Sequence, residues 1–226
     1  MYETLEETLG IHFENQAILQ QALTHRSYIY EAAGEGLSSN ERLEFLGDSI
    51  LAFISADYLY RAYPDLNEGE LSDLRAALVR RETLATFAQT IDLGKFLLMG
   101  KGEQSSGVSQ RVLASAYEAL LGAIYLDQGL TTVQQFLMPA LEPLAKNIVS
   151  KRLFKDQKSL FQEQAQAHVG ITPTYRLVNQ EGPSHNREFT VEVLLGEEVA
   201  GRGQGRNKQA AEQEAAHAAL VSKGWI

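Results

Sequence analysis

Residues Asn40-Glu41-Arg42-Leu43-Glu44-Phe45-Leu46-Gly47-Asp48-Ser49 decide how the chain is read. At 100° per residue, Glu41, Glu44 and Asp48 fall within about 60° of one another on a helical wheel. Leu43, Leu46, Ile50, Phe53 and Ile54 form an apolar stripe on the opposite side, so the segment reads as a helix with one packed and one acidic face. Three carboxylates on one face repel each other unless a cation sits among them. Magnesium prefers oxygen ligands and keeps several waters. Such a site can activate water and stabilise charge on a phosphodiester. The plainer alternative is a solvated face, the usual fate of acids opposite an apolar stripe. Two residues weigh against it. Phe45 projects near the acidic side, where a large aromatic calls for a partner surface. Gly47 costs about 1 kcal/mol relative to Ala inside a helix, which points to close packing at that position.

A second helix is read over Val112-Leu113-Ala114-Ser115-Ala116-Tyr117-Glu118-Ala119-Leu120-Leu121-Gly122-Ala123. Glu118 is its only acid, and Ser115 lies one turn earlier on the same face. Ala119, Gly122 and Ala123 are small enough for a neighbouring helix to approach closely. Taken alone, Glu118 reads as a surface acid.

The rest of the 226 residues sets the frame. The hydrophobic fraction is 44% and the charged fraction 22%, which excludes a disordered or low-complexity chain. Cys is absent, so thiol nucleophiles, thiolate metal sites and disulfides are excluded. No apolar run approaches the ~18–20 residues of a membrane span. Met1-Tyr2-Glu3-Thr4-Leu5-Glu6-Glu7 lacks the basic and apolar regions of a signal peptide, so a cytoplasmic location is expected. The formal net charge is −9, but it is unevenly spread. Residues 1–150 carry 10 Lys/Arg against 20 Asp/Glu, and residues 151–226 carry 10 against 9. An acidic part is joined to a near-neutral part with local basic clusters.

The periodicity divides the chain at the same place. Up to about residue 150 the apolar spacing is helical, with turns at Tyr63-Pro64-Asp65, Gly100-Lys101-Gly102 and Asp127-Gln128-Gly129. An all-α domain of six to eight helices is expected, its last helix running from Pro143 to about Ser150. Residues 151–156 read as a charged linker. Beyond it a helix is expected over 158–168, then alternating strands at 174–178 and 188–194, and a short strand at 198–201 closed by a turn at Gly203 and Gly205. An Ala-rich helix over 207–222 ends the chain. The fold class is α+β, an all-α domain at 1–150 followed by a small α-β-β-β-α domain at 157–226.

The stretch 40–49 resembles the signature of the ribonuclease III family. Ala22-Leu23-Thr24-His25-Arg26-Ser27-Tyr28, Gly69-Glu70-Leu71-Ser72 and Glu118-Ala119-Leu120-Leu121-Gly122-Ala123-Ile124-Tyr125-Leu126-Asp127 match its supporting segments. The resemblance covers essentially the whole chain. It implies an endonuclease that hydrolyses double-stranded RNA in structured precursors, ribosomal and messenger RNA among them, using Mg2+ with Mn2+ as a substitute. It implies no nucleotide cofactor. Glu44, Asp48 and Glu118 match the metal-binding carboxylates, Asp48 and Glu118 the catalytic pair, and Glu41 the outer acid that supports the site or contacts RNA. Phe45 matches an aromatic buried in the partner subunit of a homodimer, whose two sites each cut one strand. Ser115 stands where the family usually has Asp; its neutral hydroxyl could hold a metal-bound water but contributes no charge. The competing reading is a weakly cutting protein that binds structured RNA.

The C-terminal order, with Gly203-Gln204-Gly205-Arg206-Asn207-Lys208-Gln209-Ala210-Ala211-Glu212, resembles a double-stranded RNA-binding domain. Arg206, Asn207 and Lys208 sit where a helix N-terminus favours phosphate. Gln162 and His185 match minor-groove contacts of that domain. Gln209 stands where a second Lys is common. His25 reads as a structural histidine or a phosphate contact, and Arg75, Arg80 and Arg81 as one helical groove lining or a solvated face paired with Glu70 and Glu82.

Overall fold

The computed structural model describes residues 2–31, 36–105, 107–150, 157–183 and 187–226. The chain splits into two compact units at residues 154 and 155. The first unit is helical throughout, and its centre is the crossing of two long helices, α4 (Glu41–Ala62) and α8 (Gln110–Gln128). Glycines set how close they come. A Cβ on Gly47 would lie 1.7 Å from the carbonyl oxygen of Glu118, and one on Gly122 would lie 2.4 Å from that of Leu43. No other residue type fits either place. The small residues read from the sequence therefore face each other, and Leu43, Ile50, Leu51 and Ile54 are buried beside them.

Around this pair lie α1 (Tyr2–Leu9), α2 (Gln16–Ala22), α3 (Arg26–Glu31), α5 (Glu68–Leu78), α6 (Arg81–Thr90), α7 (Lys101–Ser105) and α9 (Leu130–Ser150). Nine α-helices are thus present among the described residues of this unit, more than the six to eight expected. The surplus comes from α1, α3 and α7, which span 8, 6 and 5 residues and are too short to display a period. The turn expected at Gly100-Lys101-Gly102 is the start of α7.

Two further expectations are corrected. The last helix does not begin at Pro143: α9 runs through both Pro139 and Pro143. Both prolines lie on its exposed side, where the carbonyls they leave unbonded reach water, while Val133, Leu137, Leu141, Ala145 and Ile148 bury a continuous stripe on the other. Phe53 does not belong to the core stripe of α4; it is 56% exposed. It lies about 80° around the helix from Leu43, past the edge of the packed face.

In the second unit α10 (Gln157–Val169) precedes three antiparallel strands in the order β1 (Thr174–Glu181), β2 (Glu188–Leu195), β3 (Glu198–Gly205), and α11 (Lys208–Ser222) closes the chain. Ala211, Ala215, Ala216, Ala219 and Leu220 of α11 pack with Leu160, Phe161, Val191 and Val193 as the sequence suggested. The third strand is longer than expected. Gly203 and Gly205 do not end it in a turn but pair with Val191 and Phe189. A Cβ at Gly203 would stand 2.2 Å from the backbone nitrogen of Ala215, and one at Gly205 2.6 Å from that of Ala211. The glycines let α11 lie directly on the strand backbone.

Candidate functional site

The close α4–α8 crossing brings acids from two helices together. Glu44 and Asp48 leave α4 one turn apart, and Ser115 and Glu118 leave α8 in the same way. The Ser115 hydroxyl donates to Glu44 Oε1 at 2.8 Å, tying the helices side chain to side chain. The Glu118 carboxyl is pushed up to about 7, first by burial and then by the negative charges of Asp48 and Glu44, while Arg81 opposes the rise. A half-buried carboxyl beside two like charges, with Arg81 as its one opposing cation in that balance, is further stabilised in its ionised form by an added cation. The donor set is oxygen throughout, the chemistry of a hard divalent ion. Among the described residues, no three His, Cys, Asp or Glu side chains are grouped so that they could hold a metal ion as they stand.

Glu41, grouped with these acids on the helical wheel, is turned elsewhere. It accepts from the Ser39 hydroxyl at 2.9 Å and lies 3.7 Å from the Arg26 guanidinium. It lines, with Glu44 and Ser115, an open cleft of about 290 Å³ that also exposes His25, Arg26 and Arg111. His25 is held locally by Ser27, Nδ1 to Oγ at 2.8 Å.

The three arginines read as one helical group are divided. Arg75 is on α5, Arg80 precedes α6 as its cap, and Arg81 opens α6. Val79 ends α5 in non-helical backbone, so the spacing of the three carries no common face. Arg81, read from the sequence only as one member of that group, is the cation that acts on Glu118.

Phe45 stands free on α4, 77% exposed. Two residues of the same helix join it: Phe53, at 56%, expected in the core, and Tyr60, at 74%, which escaped attention. Their spacing along the exposed face was the available signal, masked by the assignment of Phe53 to the core.

In the second unit Arg206 and Lys208 are exposed at the start of α11. Asn207 is its N-cap: the side-chain oxygen accepts from the Ala210 N–H at 2.8 Å, so that oxygen serves the helix. Gln162 is exposed and lines a cleft with Lys158, Tyr175 and Gln209. Lys158 was overlooked. It bonds Glu212 at 2.7 Å, lies over the Tyr175 ring at 4.7 Å, and precedes Gln162 by one turn, which was the signal for it. His185 lies outside the described residues, as does the expected linker 151–156.

Together these features define a helical unit carrying a two-helix acidic site, followed by a small sheet-and-helix unit with a basic helix end. Comparison with known proteins agrees along the chain. A family model described as Ribonuclease-III-like matches residues 15–144, and one described as Double-stranded RNA binding motif matches residues 157–222. A curated relative named Ribonuclease 3, from Roseiflexus sp. (strain RS-1), is 48% identical over 222 residues, 96% of this chain and 94% of that one. Another of that name, from Oceanobacillus iheyensis, is 48% identical over 221 residues, 96% of each chain. Among solved structures, the nuclease domain of ribonuclease III from Campylobacter jejuni, whose description refers to a region involved in dimer formation, superposes with a TM-score of 0.58 at 36% identity, covering 63% of this chain and 97% of that one. The chain belongs to the ribonuclease III family.

Proposed function

We propose that this chain is a double-strand-specific endoribonuclease whose reacting site is Glu44, Asp48 and Glu118. The observation that carries the assignment is the α4–α8 crossing, which sets a half-buried Glu118 carboxyl against two further carboxylates. Glu44, Asp48 and Glu118 would hold Mg2+, or Mn2+ in its place, with Ser115 in contact through its hydroxyl or a water. Bound there, the ion would supply positive charge to the reacting phosphate and lower the cost of deprotonating water. In the balanced reaction a water oxygen bonds to phosphorus, the bond to the 3′ oxygen breaks, and the water proton ends on the leaving oxygen. The products carry 5′-phosphate and 3′-hydroxyl ends. Glu41, bonded to Ser39 and facing Arg26, is an outer support to the site.

Residues 1–150 form the catalytic domain, 151–156 a linker and 157–226 the RNA-binding domain. Arg206 and Lys208 meet phosphates, Asn207 through its amide N–H, and Gln162 and His185 the minor groove. Phe45 is covered by a second copy of the chain, giving a homodimer. Among the described residues no helix is long and apolar enough to cross a membrane. A cytoplasmic enzyme acting on structured ribosomal and messenger precursors is consistent with that.

The test is cleavage of long duplex RNA with and without magnesium, using the parent and Glu118→Gln. Magnesium-dependent cutting that is lost in Glu118→Gln supports the assignment. Ser115 favours one second reading, a weak cutter that binds structured RNA. Retained duplex binding with no cleavage at any magnesium concentration would establish that reading instead.

A further inference from the structure

The cleft beside the acids extends past Glu44 and Ser115 to a wall bearing His25, Arg26, Tyr30 and Arg111. Its lining carries three carboxyl groups, Glu41, Glu44 and Glu103, and two guanidinium groups. Arg26 is engaged with Glu41 at 3.7 Å, and His25 with Ser27. Arg111 is exposed and forms no ion pair among the described residues. It is on the second residue of α8, so Arg111, Ser115 and Glu118 follow at spacings of four and three along one helix face. Along the axis Arg111 lies about 6 Å before Ser115 and about 10 Å before Glu118.

We propose that Arg111 is a substrate-positioning residue that binds a phosphodiester of the RNA strand flanking the bond being cut. The inference rests on the reading of Glu44, Asp48 and Glu118 as the cleavage site. Three carboxylates repel the phosphates on either side of the one they act upon. A guanidinium on the same helix face offsets that repulsion where the strand enters the cleft. Its planar fork matches a phosphate with two parallel hydrogen bonds, which fixes position as well as charge. Ser115 suits this arrangement, because a neutral hydroxyl between Arg111 and Glu118 leaves the guanidinium free for the strand.

The test uses the full chain and a long, perfectly paired RNA. Arg111→Gln is expected to raise the KM for cleavage roughly tenfold, the loss of one charge-assisted contact. It should lower the slope of log affinity against log salt, measured in calcium, by about one, and leave the magnesium concentration for half-maximal cleavage unchanged. Arg111→Lys should restore the salt slope but only part of the KM. Lys146→Gln, a charge-matched change on α9 whose side chain pairs with Glu142, should move neither. A parent-like KM and salt slope in Arg111→Gln would overturn the proposal. So would a lowered melting temperature with an unchanged salt slope, the result expected if Arg111 only pairs with Glu103 across the cleft. Failure of the acidic site shows separately, as cleavage that survives in Glu118→Gln, and the salt slope in calcium still judges Arg111 in that case.

Discussion

Ser115 is the residue on which the strength of the site turns. Its hydroxyl donates to Glu44 Oε1 and brings no charge. Ser115→Asp adds a fourth acid beside Glu44, Asp48 and Glu118, so the magnesium concentration for half-maximal cleavage should fall, with little change in duplex binding measured in calcium. Titration of cleavage against magnesium checks this; an unchanged midpoint would put the side chain outside the reach of the ion. Glu118 makes a second expectation about pH. Its carboxyl rises from the ordinary 4.5 to about 7, so between those values the folded protein holds a proton that the unfolded chain has released. Stability in the presence of a chelator should therefore fall as pH rises through this window. A divalent cation favours the ionised carboxylate, so its affinity should climb over the same range. Melting temperatures from pH 5 to 8, with chelator and then with calcium, measure both, and Glu118→Gln should flatten the chelator curve. At this scale Glu44 and Asp48 were open to nomination as candidates because type and spacing survive in a linear reading, whereas Glu118, which alone reads as a surface acid, became one only through the family resemblance. The turning of Glu41 toward Ser39 and Arg26 was not, since a wheel records direction from the axis and nothing about neighbours from other elements.

Among the elements, α4 and α8 carry most of the consequence. Gly47→Ala improves helix propensity by about 1 kcal/mol, yet its Cβ would fall 1.7 Å from the Glu118 carbonyl oxygen. Overpacking of this kind costs typically 1–3 kcal/mol, and contact with backbone puts this site at the upper end or beyond. Denaturant unfolding should show net destabilisation of about 2 kcal/mol or more, with cleavage reduced because Glu118 is the residue displaced. Equal or greater stability in Gly47→Ala would mean that the helices separate at little cost. Gly47 and Gly122 were readable as a close approach because glycine inside a helix has few other justifications. The glycines of β3 were misread for the opposite reason: glycine is so common in turns that Gly203 and Gly205 suggested one. Only the alanines of α11 lying on them reveal the packing. The prolines of α9 misled similarly, since a sequence does not say which side of a helix faces water.

For the molecule as a whole, the exposed face of α4 is the outstanding unfinished surface. Phe45, Phe53 and Tyr60 place three large rings in solvent along one helix of an otherwise acidic unit. A charge at the centre of a self-complementary interface is repeated by symmetry, so Phe45→Glu would set two carboxylates in one buried patch. Analytical ultracentrifugation should show the parent as a dimer and Phe45→Glu shifted to monomer; an undisturbed dimer would remove Phe45 from the interface. The division into two units was legible from the change of period and of charge near residue 150, because burial against helices and burial against a sheet impose different spacings. Arg111 escaped notice, since its spacing to Ser115 and Glu118 gains meaning only beside the cleft that Glu44 and Ser115 line.

The contact between Gly47 and the carbonyl of Glu118 has a thermal consequence. Many enzymes lose activity on warming before they melt, because the reacting groups sit on loops that loosen early. Here the carboxylate proposed to react belongs to the residue whose backbone carbonyl faces Gly47 at the helix crossing. Heat inactivation of this site and melting of the helical unit are therefore expected to coincide.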